Sequence, residues 1–317
     1  MATRSVVRDE DQFCVYRSVQ GGTTRVLWEL TSACNLKCDF CLVEIKGRHL
    51  ATEVALHTAG ELVAAGVGKV LLSGGEPLLH PGAEAVMRRL VDGDVLVKLL
   101  TNGTVVNESV FAFIRSTPAV EVSVSVPTAD EQEADRVFGR PGSLARIAAT
   151  LEALPKERCN VICAVSRLNL HAVESVVDWV AAAGVPCLSL TDIFKDPDSP
   201  ARFRDDCRDL RITTAEVRDL LALVERKREQ HAGRLAIRTT QFAAHPGERC
   251  MAGRTVFYLD PAGTLLPCTV ADNRRWREAV AGMGVREAMD FYRATVDRPP
   301  ASSCSQRLAI GDVLVLT

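Results

Sequence analysis

Residues 25–41 read RVLWELTSACNLKCDFC, and this stretch decides the fold. Its first six residues, 25–30, are β-favouring, with Val26, Leu27, Trp28 and Leu30 apolar, which predicts a strand. That strand runs directly into a loop carrying Cys34, Cys38 and Cys41 in C-x3-C-x2-C spacing. The same kind of short apolar run returns at 69–73, 95–100, 121–126, 160–165 and 187–190. Between the runs lie segments of helical period. In 53–65, Val54, Leu56, Ala59, Leu62 and Val63 share a stripe, with Thr52 as the expected N-cap and Gly66 as the stop. Residues 171–183 behave alike and end at Gly184. Strands alternating with helices predict βα units and a parallel sheet, and near-continuously apolar strands predict helices covering the outside. The expected architecture is α/β, a partial (β/α)6 TIM-like barrel.

Composition narrows the class. The 317 residues carry a formal charge of −2, with 47% hydrophobic and 25% charged residues, a globular balance that excludes long disorder. Near-neutral charge argues against a nucleic-acid partner. Residues 1–13 are polar and hold no signal-peptide core, and the most apolar stretch, 54–72, is interrupted by His57, Glu61 and Lys69. The expectation is a soluble, cytoplasmic protein with no membrane contact.

After residue 194 the pattern changes. Residues 196–211 are polar and charged and read as a linker or flap. Residues 214–230 read as a long amphipathic helix, with Val217, Leu220, Leu221 and Val224 on one side. Residues 255–260 and 265–267 flank Pro261-Ala262-Gly263, a hairpin signal. The expected division is an N-terminal extension (1–23), a barrel (24–194), a linker with its helix (195–245) and a small C-terminal domain (246–317).

Eleven cysteines is an odd count, and only Cys34, Cys38 and Cys41 cluster. In a reducing compartment such a group points to metal or catalysis rather than to disulfides. Three thiolates with no neighbouring fourth ligand suit a closed zinc site poorly, whereas a [4Fe–4S] cube leaves one iron open. A zinc loop with a distant fourth ligand, in a non-enzymatic protein, and three unrelated thiols are the plainer alternatives. The next strand ends in Ser73-Gly74-Gly75-Glu76-Pro77. Two glycines remove side chains where a ligand must approach, and Glu76 offers a carboxylate to an ammonium group.

The cysteine triplet followed by Gly-Gly-Glu-Pro resembles the signature of the radical S-adenosylmethionine (SAM) superfamily, over about residues 24–192. The resemblance implies that Cys34, Cys38 and Cys41 ligate a SAM-binding [4Fe–4S] cluster and that Phe40 lies beside the adenine. It implies that Gly74, Gly75 and Glu76 hold the methionine amino group. Weaker matches are Asn102 at the end of strand three, Ser123 and Ser125 on strand four, and Asn169 after strand five. Phe138 stands where relatives place an arginine, so either Arg136 or Arg140 holds the SAM carboxylate or that contact is lost. A flavodoxin- or ferredoxin-type electron donor is implied as well.

Further on, Cys250 and Asp260-Pro-Ala-Gly263-Thr-Leu-Leu-Pro-Cys268 resemble the opening of the SPASM and twitch extensions of this superfamily. Gly263 makes the turn that returns Cys268 beside Cys250. With Cys304 these imply a second, auxiliary [4Fe–4S] cluster on three thiolates. Cys163 and Cys187, on barrel strands, are candidates to give a hydrogen atom to a substrate radical. No leader-peptide-binding segment is evident at the N-terminus, so the expected substrate is a small polar metabolite (a sugar, aminosugar or amino-acid derivative of natural-product biosynthesis), undergoing oxidation or epimerisation. The alternative is a maturase that modifies a ribosomally made peptide by thioether or carbon–carbon crosslinking.

Overall fold

The computed structural model describes residues 17–18, 23–38, 41, 47–193, 210, 212–240, 249–269 and 273–296. In chain order the strands are β1 (Arg17–Ser18), β2 (Arg25–Thr31), β3 (Lys69–Gly74), β4 (Leu96–Thr101), β5 (Val120–Ser125), β6 (Cys159–Val165), β7 (Cys187–Asp192), β8 (Ala236–Thr240), β9 (Arg249–Cys250), β10 (Val256–Leu259) and β11 (Leu265–Leu266). The helices are α1 (Thr52–Ala64), α2 (Ala83–Val91), α3 (Glu108–Ser116), α4 (Glu131–Phe138), α5 (Ser143–Ala153), α6 (Val173–Ala182), α7 (Thr214–Gln230), α8 (Asn273–Ala279) and α9 (Val285–Thr295).

Strands β2 to β7 lie side by side in sequential order, all parallel, as the six expected βα units require. Side chains alternate across such a sheet. Val26, Trp28, Val70, Leu72, Val97, Leu99, Val122 and Val124 are buried with the apolar stripes of the helices, among them Ala55, Ala59, Leu62, Val86 and Ile147. The intervening strand positions, including Leu27, Leu71, Lys98, Glu121, Ser123 and Asn160, therefore face the opposite, inner side. That face is mixed: Lys69 and Glu121 pair at 3.1 Å near the N-terminal ends of their strands.

Two features extend the sheet beyond the expected barrel. Helix α7, closed by a capping box between Thr213 and Glu216, leads into β8, which adds in parallel to β7 with Cys187 opposite Ala236. Residues expected to be linker thus carry a strand of the main sheet. On the other side, β10 joins β2 in parallel, Val256 opposite Arg25, and β11 closes antiparallel on β10. Among the described residues the sheet has nine strands in the order β11-β10-β2-β3-β4-β5-β6-β7-β8, so the boundary expected at 246 cuts through one continuous layer. Helix α9 anchors this end. Tyr292 donates its hydroxyl to Leu265 O at 2.9 Å and packs edge-on against Trp276 and Phe291.

Local signals held with small shifts. Thr52 is the first helical residue of α1 rather than its cap, the cap being Ala51 without a side-chain bond. Gly66, at φ +75°, follows the helix as its stop. Residues 170–172 form a 3-10 turn ahead of α6.

Candidate active site

In a parallel sheet every C-terminal strand end opens on the same side, the usual place for a ligand. The cysteine loop leaves β2 on that side. Its neck is pinned: Ser32 N donates to Arg48 O at 3.0 Å, Arg48 N donates to Ser32 Oγ at 3.2 Å, and Thr31 Oγ1 donates to Arg48 O at 2.9 Å. His80, whose ionisation burial holds low, meets Leu50 O through Nε2 at 2.9 Å and accepts from Gly82 N at 3.0 Å on Nδ1. The chain leaving the loop is thereby tied to the loop after β3.

That second loop fits against the first with almost no clearance. Gly75 N donates to Thr31 O and Glu76 N to Ala33 O, each at 2.8 Å. A Cβ on Gly74, which sits at φ +126°, would lie 2.2 Å from Thr31 O, and one on Gly75 would lie 2.1 Å from Ala33 O. The glycines are thus required first by the backbone of the cysteine loop and not only by an approaching ligand. Glu76 is also differently employed than expected. Its carboxylate is fully buried, accepting from Leu78 N (3.1 Å), Thr101 Oγ1 (2.9 Å) and Asn102 N (2.8 Å). Burial pushes its pKa up to about 7. The side chain fastens β3 to the end of β4.

Asn102 joins the same knot. Its Nδ2 donates to Asn35 Oδ1 at 2.9 Å and reaches Cys34 Sγ at 3.8 Å, while its Oδ1 accepts from Thr104 N and Thr104 Oγ1. Cys34 also accepts from Leu36 N at 3.4 Å, and burial pushes its thiol up, with the Glu76 charge adding to the effect. The C-terminal end of α4 touches the loop too, through Lys37 N to Phe138 O at 3.1 Å.

The remaining expected residues divide. Ser125 is half-buried at the inner end of β5. Ser123 lies deeper, buried against Asn160 at 3.2 Å. Arg136 is exposed on α4 and Arg140 is half-buried just beyond it, whereas Phe138 is core. Asn169 is not available to a ligand: it is buried, donates to Pro127 O (2.8 Å) and Ala164 O (2.9 Å), and accepts from Ser166 N at 2.8 Å.

Cys163 requires correction as a hydrogen donor. Cys163 shares the outer layer with Val161, Val165 and the α6 residues Val173, Val176 and Val177, so it faces the helices and not the interior; its burial pushes the thiol up to about 12. Cys187 has the inner parity but opens β7, about five residues or roughly 16 Å of strand below the loop-bearing end. Cys268 is buried beside Leu71, Ala252 and Val256. Cys250 lies in β9 opposite Arg17. Phe40 and Cys304 lie outside the described residues.

The donor chemistry suits an iron–sulfur centre: three thiols on one pinned loop, beside a glycine cradle with no room for a Cβ. Among the described residues no three ligating side chains already converge on one point, so the thiols line the loop without forming a closed cage. No helix among the described residues is long and apolar enough to cross a membrane.

Comparison with known proteins gives the same address. Residues 28–185 match the Radical SAM superfamily. The AdoMet-dependent heme synthase of Methanosarcina barkeri is 30% identical over 165 residues, half of this chain and 47% of that protein. The PqqA peptide cyclase of Rhodopseudomonas palustris is 27% identical over 316 residues, 90% of this chain and 80% of the relative. Among solved structures, SuiB of Streptococcus suis bound to its precursor peptide SuiA superposes with a TM-score of 0.67 at 15% identity, covering 86% of this chain and 64% of SuiB. The chain therefore spans about half the length of the first of these relatives and under two thirds of SuiB. With its cysteine loop, glycine cradle and five of its six parallel βα units within the matched region, the chain belongs to the radical SAM superfamily.

Proposed function

We propose that the protein is a radical SAM maturase that modifies a ribosomally made peptide. The observation that carries this reading is the likeness to the PqqA peptide cyclase, which runs along 90% of the chain and so continues well past the radical SAM region into the C-terminal hairpin. The heme synthase likeness stops at half the chain. This favours the peptide alternative over the small-metabolite substrate expected from sequence.

When bound at Cys34, Cys38 and Cys41, a reduced [4Fe–4S] centre would supply the electron that splits SAM into methionine and a 5′-deoxyadenosyl radical. The chain's own part is placement. The neck at Thr31, Ser32 and Arg48 fixes the loop, Gly74 and Gly75 let it close on β3, and Glu76 locks that contact from beneath. An auxiliary centre on Cys250, Cys268 and Cys304 belongs to the same reading, supported by the spacing and by the packing of Cys268 against Ala252.

The test is anaerobic turnover of the reconstituted protein with SAM and dithionite. Short peptides encoded beside its gene are offered in parallel with sugars, aminosugars and free amino acids. Loss of two mass units per crosslink from a peptide is expected. Conversion of a small metabolite, with every peptide untouched, would refute the proposal.

A further inference from the structure

We propose that Asn102 is a positioning residue that donates an N–H to the Cys34 sulfur and thereby raises the electron affinity of the centre held there. The inference rests on the family's cluster at Cys34, Cys38 and Cys41, and concerns how this chain tunes it.

The argument starts from the orientation of one amide. Thr104 N can only donate, and it meets Asn102 Oδ1 at 2.8 Å; Thr104 Oγ1 donates to the same oxygen at 2.7 Å. The oxygen therefore faces Thr104, and the amide nitrogen must face the cysteine loop. There it donates to Asn35 Oδ1 at 2.9 Å, and Asn35 Nδ2 donates to Thr104 Oγ1 at 2.8 Å. These three side chains form a closed ring in which each donates to the next, so each bond polarises its neighbour. The ring consumes one N–H of Asn102. The other points at Cys34 Sγ, 3.8 Å away. Asn102 and Thr104 are both buried, and Asn102 N is fixed on Glu76 Oε2 at 2.8 Å, so the donor is held rigidly.

A sulfur that ligates iron carries more negative charge when the centre is reduced. An N–H aimed at it stabilises the reduced form more than the oxidised one, and so raises the potential. Leu36 N, at 3.4 Å from the same sulfur, acts in the same sense from within the loop. Asn35 has a different part: it steadies the ring and does not supply the donor.

The test is a reductive titration of the iron-loaded protein without SAM, followed by the EPR signal of the reduced centre. Asn102→Ala is expected to lower the reduction equilibrium constant about tenfold, a shift of ~59 mV to more negative potential for one electron. Asn35→Ala, in which Thr104 still orients Asn102, is expected to change it less than about twofold. Should Asn102→Ala fail to retain iron, Asn102→Leu, close in volume, uncharged and lacking the donor, is read in its place. An unchanged potential in an iron-loaded Asn102 variant overturns the proposal, and so does an equal shift in Asn35→Ala, which would assign the effect to loop position. Iron analysis of the wild type separates this from failure of the underlying site: a protein with no iron at these cysteines removes both.

Discussion

Replacing Gly75 by alanine isolates the contact on which the site is built. The added Cβ would stand 2.1 Å from Ala33 O, 2.5 Å from Ala33 C and 3.1 Å from Cys34 Cβ, against a backbone carbonyl that no rotamer change can move aside. Relief requires the two loops to part by roughly 1.4 Å, since non-bonded heavy atoms rest ~3.5 Å apart. That movement stretches the bonds from Gly75 N to Thr31 O and from Glu76 N to Ala33 O. Overpacking costs about 1–3 kcal/mol and two weakened backbone bonds about 1 kcal/mol each, so the loss is about 3–5 kcal/mol. Gly66→Ala is the matched control. Gly66 sits at φ +75° with nothing within 4 Å of its added Cβ, so it loses only about 1 kcal/mol from the left-handed backbone. Equilibrium urea unfolding of the two apo variants, with midpoints compared at equal slope, reads the difference. If Gly75→Ala unfolds no more easily than Gly66→Ala, the close approach is not a structural constraint and the account of the glycine pair fails.

Glu76 makes stability pH-dependent in a defined direction. Its folded pKa of about 7 exceeds the ordinary 4.5, so the folded state holds the proton more tightly and stability falls as pH rises from about 4.5 through 7. The full effect is on the order of 3 kcal/mol, and Glu76→Gln should flatten the slope of apo-protein melting over that window. Cys34→Ala is expected to abolish reductive SAM cleavage, measured as 5′-deoxyadenosine, while Cys268→Ala retains uncoupled cleavage and loses product. Tyr292→Phe leaves the buried Leu265 carbonyl without its donor and should cost about 1–3 kcal/mol in thermal or urea unfolding.

Much of this architecture could be read from residue patterns, because the decisive signals are local. The six strand cores, the α7 span and the Gly263 turn all lie where period and punctuation place them. Strand β8 escaped because five residues, Ala-Ile-Arg-Thr-Thr, carry little periodic information after a long polar helix. The pairing of β10 with β2 escaped for a different reason: nothing near Val256 announces a partner at Arg25. In the site, sequence marked the cysteine loop and the Gly-Gly-Glu-Pro turn but not which way the polar groups face. Glu76 and Asn169 are turned inward onto backbone, and near-continuously apolar strands hide the parity that sends Cys163 outward. Asn35 and Thr104 were missed altogether. Their signal was available: Asn35 follows the first cysteine directly, and Thr104 lies two residues past Asn102.

The parallel seam between β10 and β2 bears on biosynthesis. The strand that presents the iron loop is bordered on one side by β3, close behind it in sequence, and on the other by a strand about 230 residues later, a costly closure. Until the ribosome has delivered Val256–Leu259, that flank offers a row of bare amides and carbonyls to any neighbouring polypeptide. Shortened versions ending ahead of Val256 should accordingly self-associate.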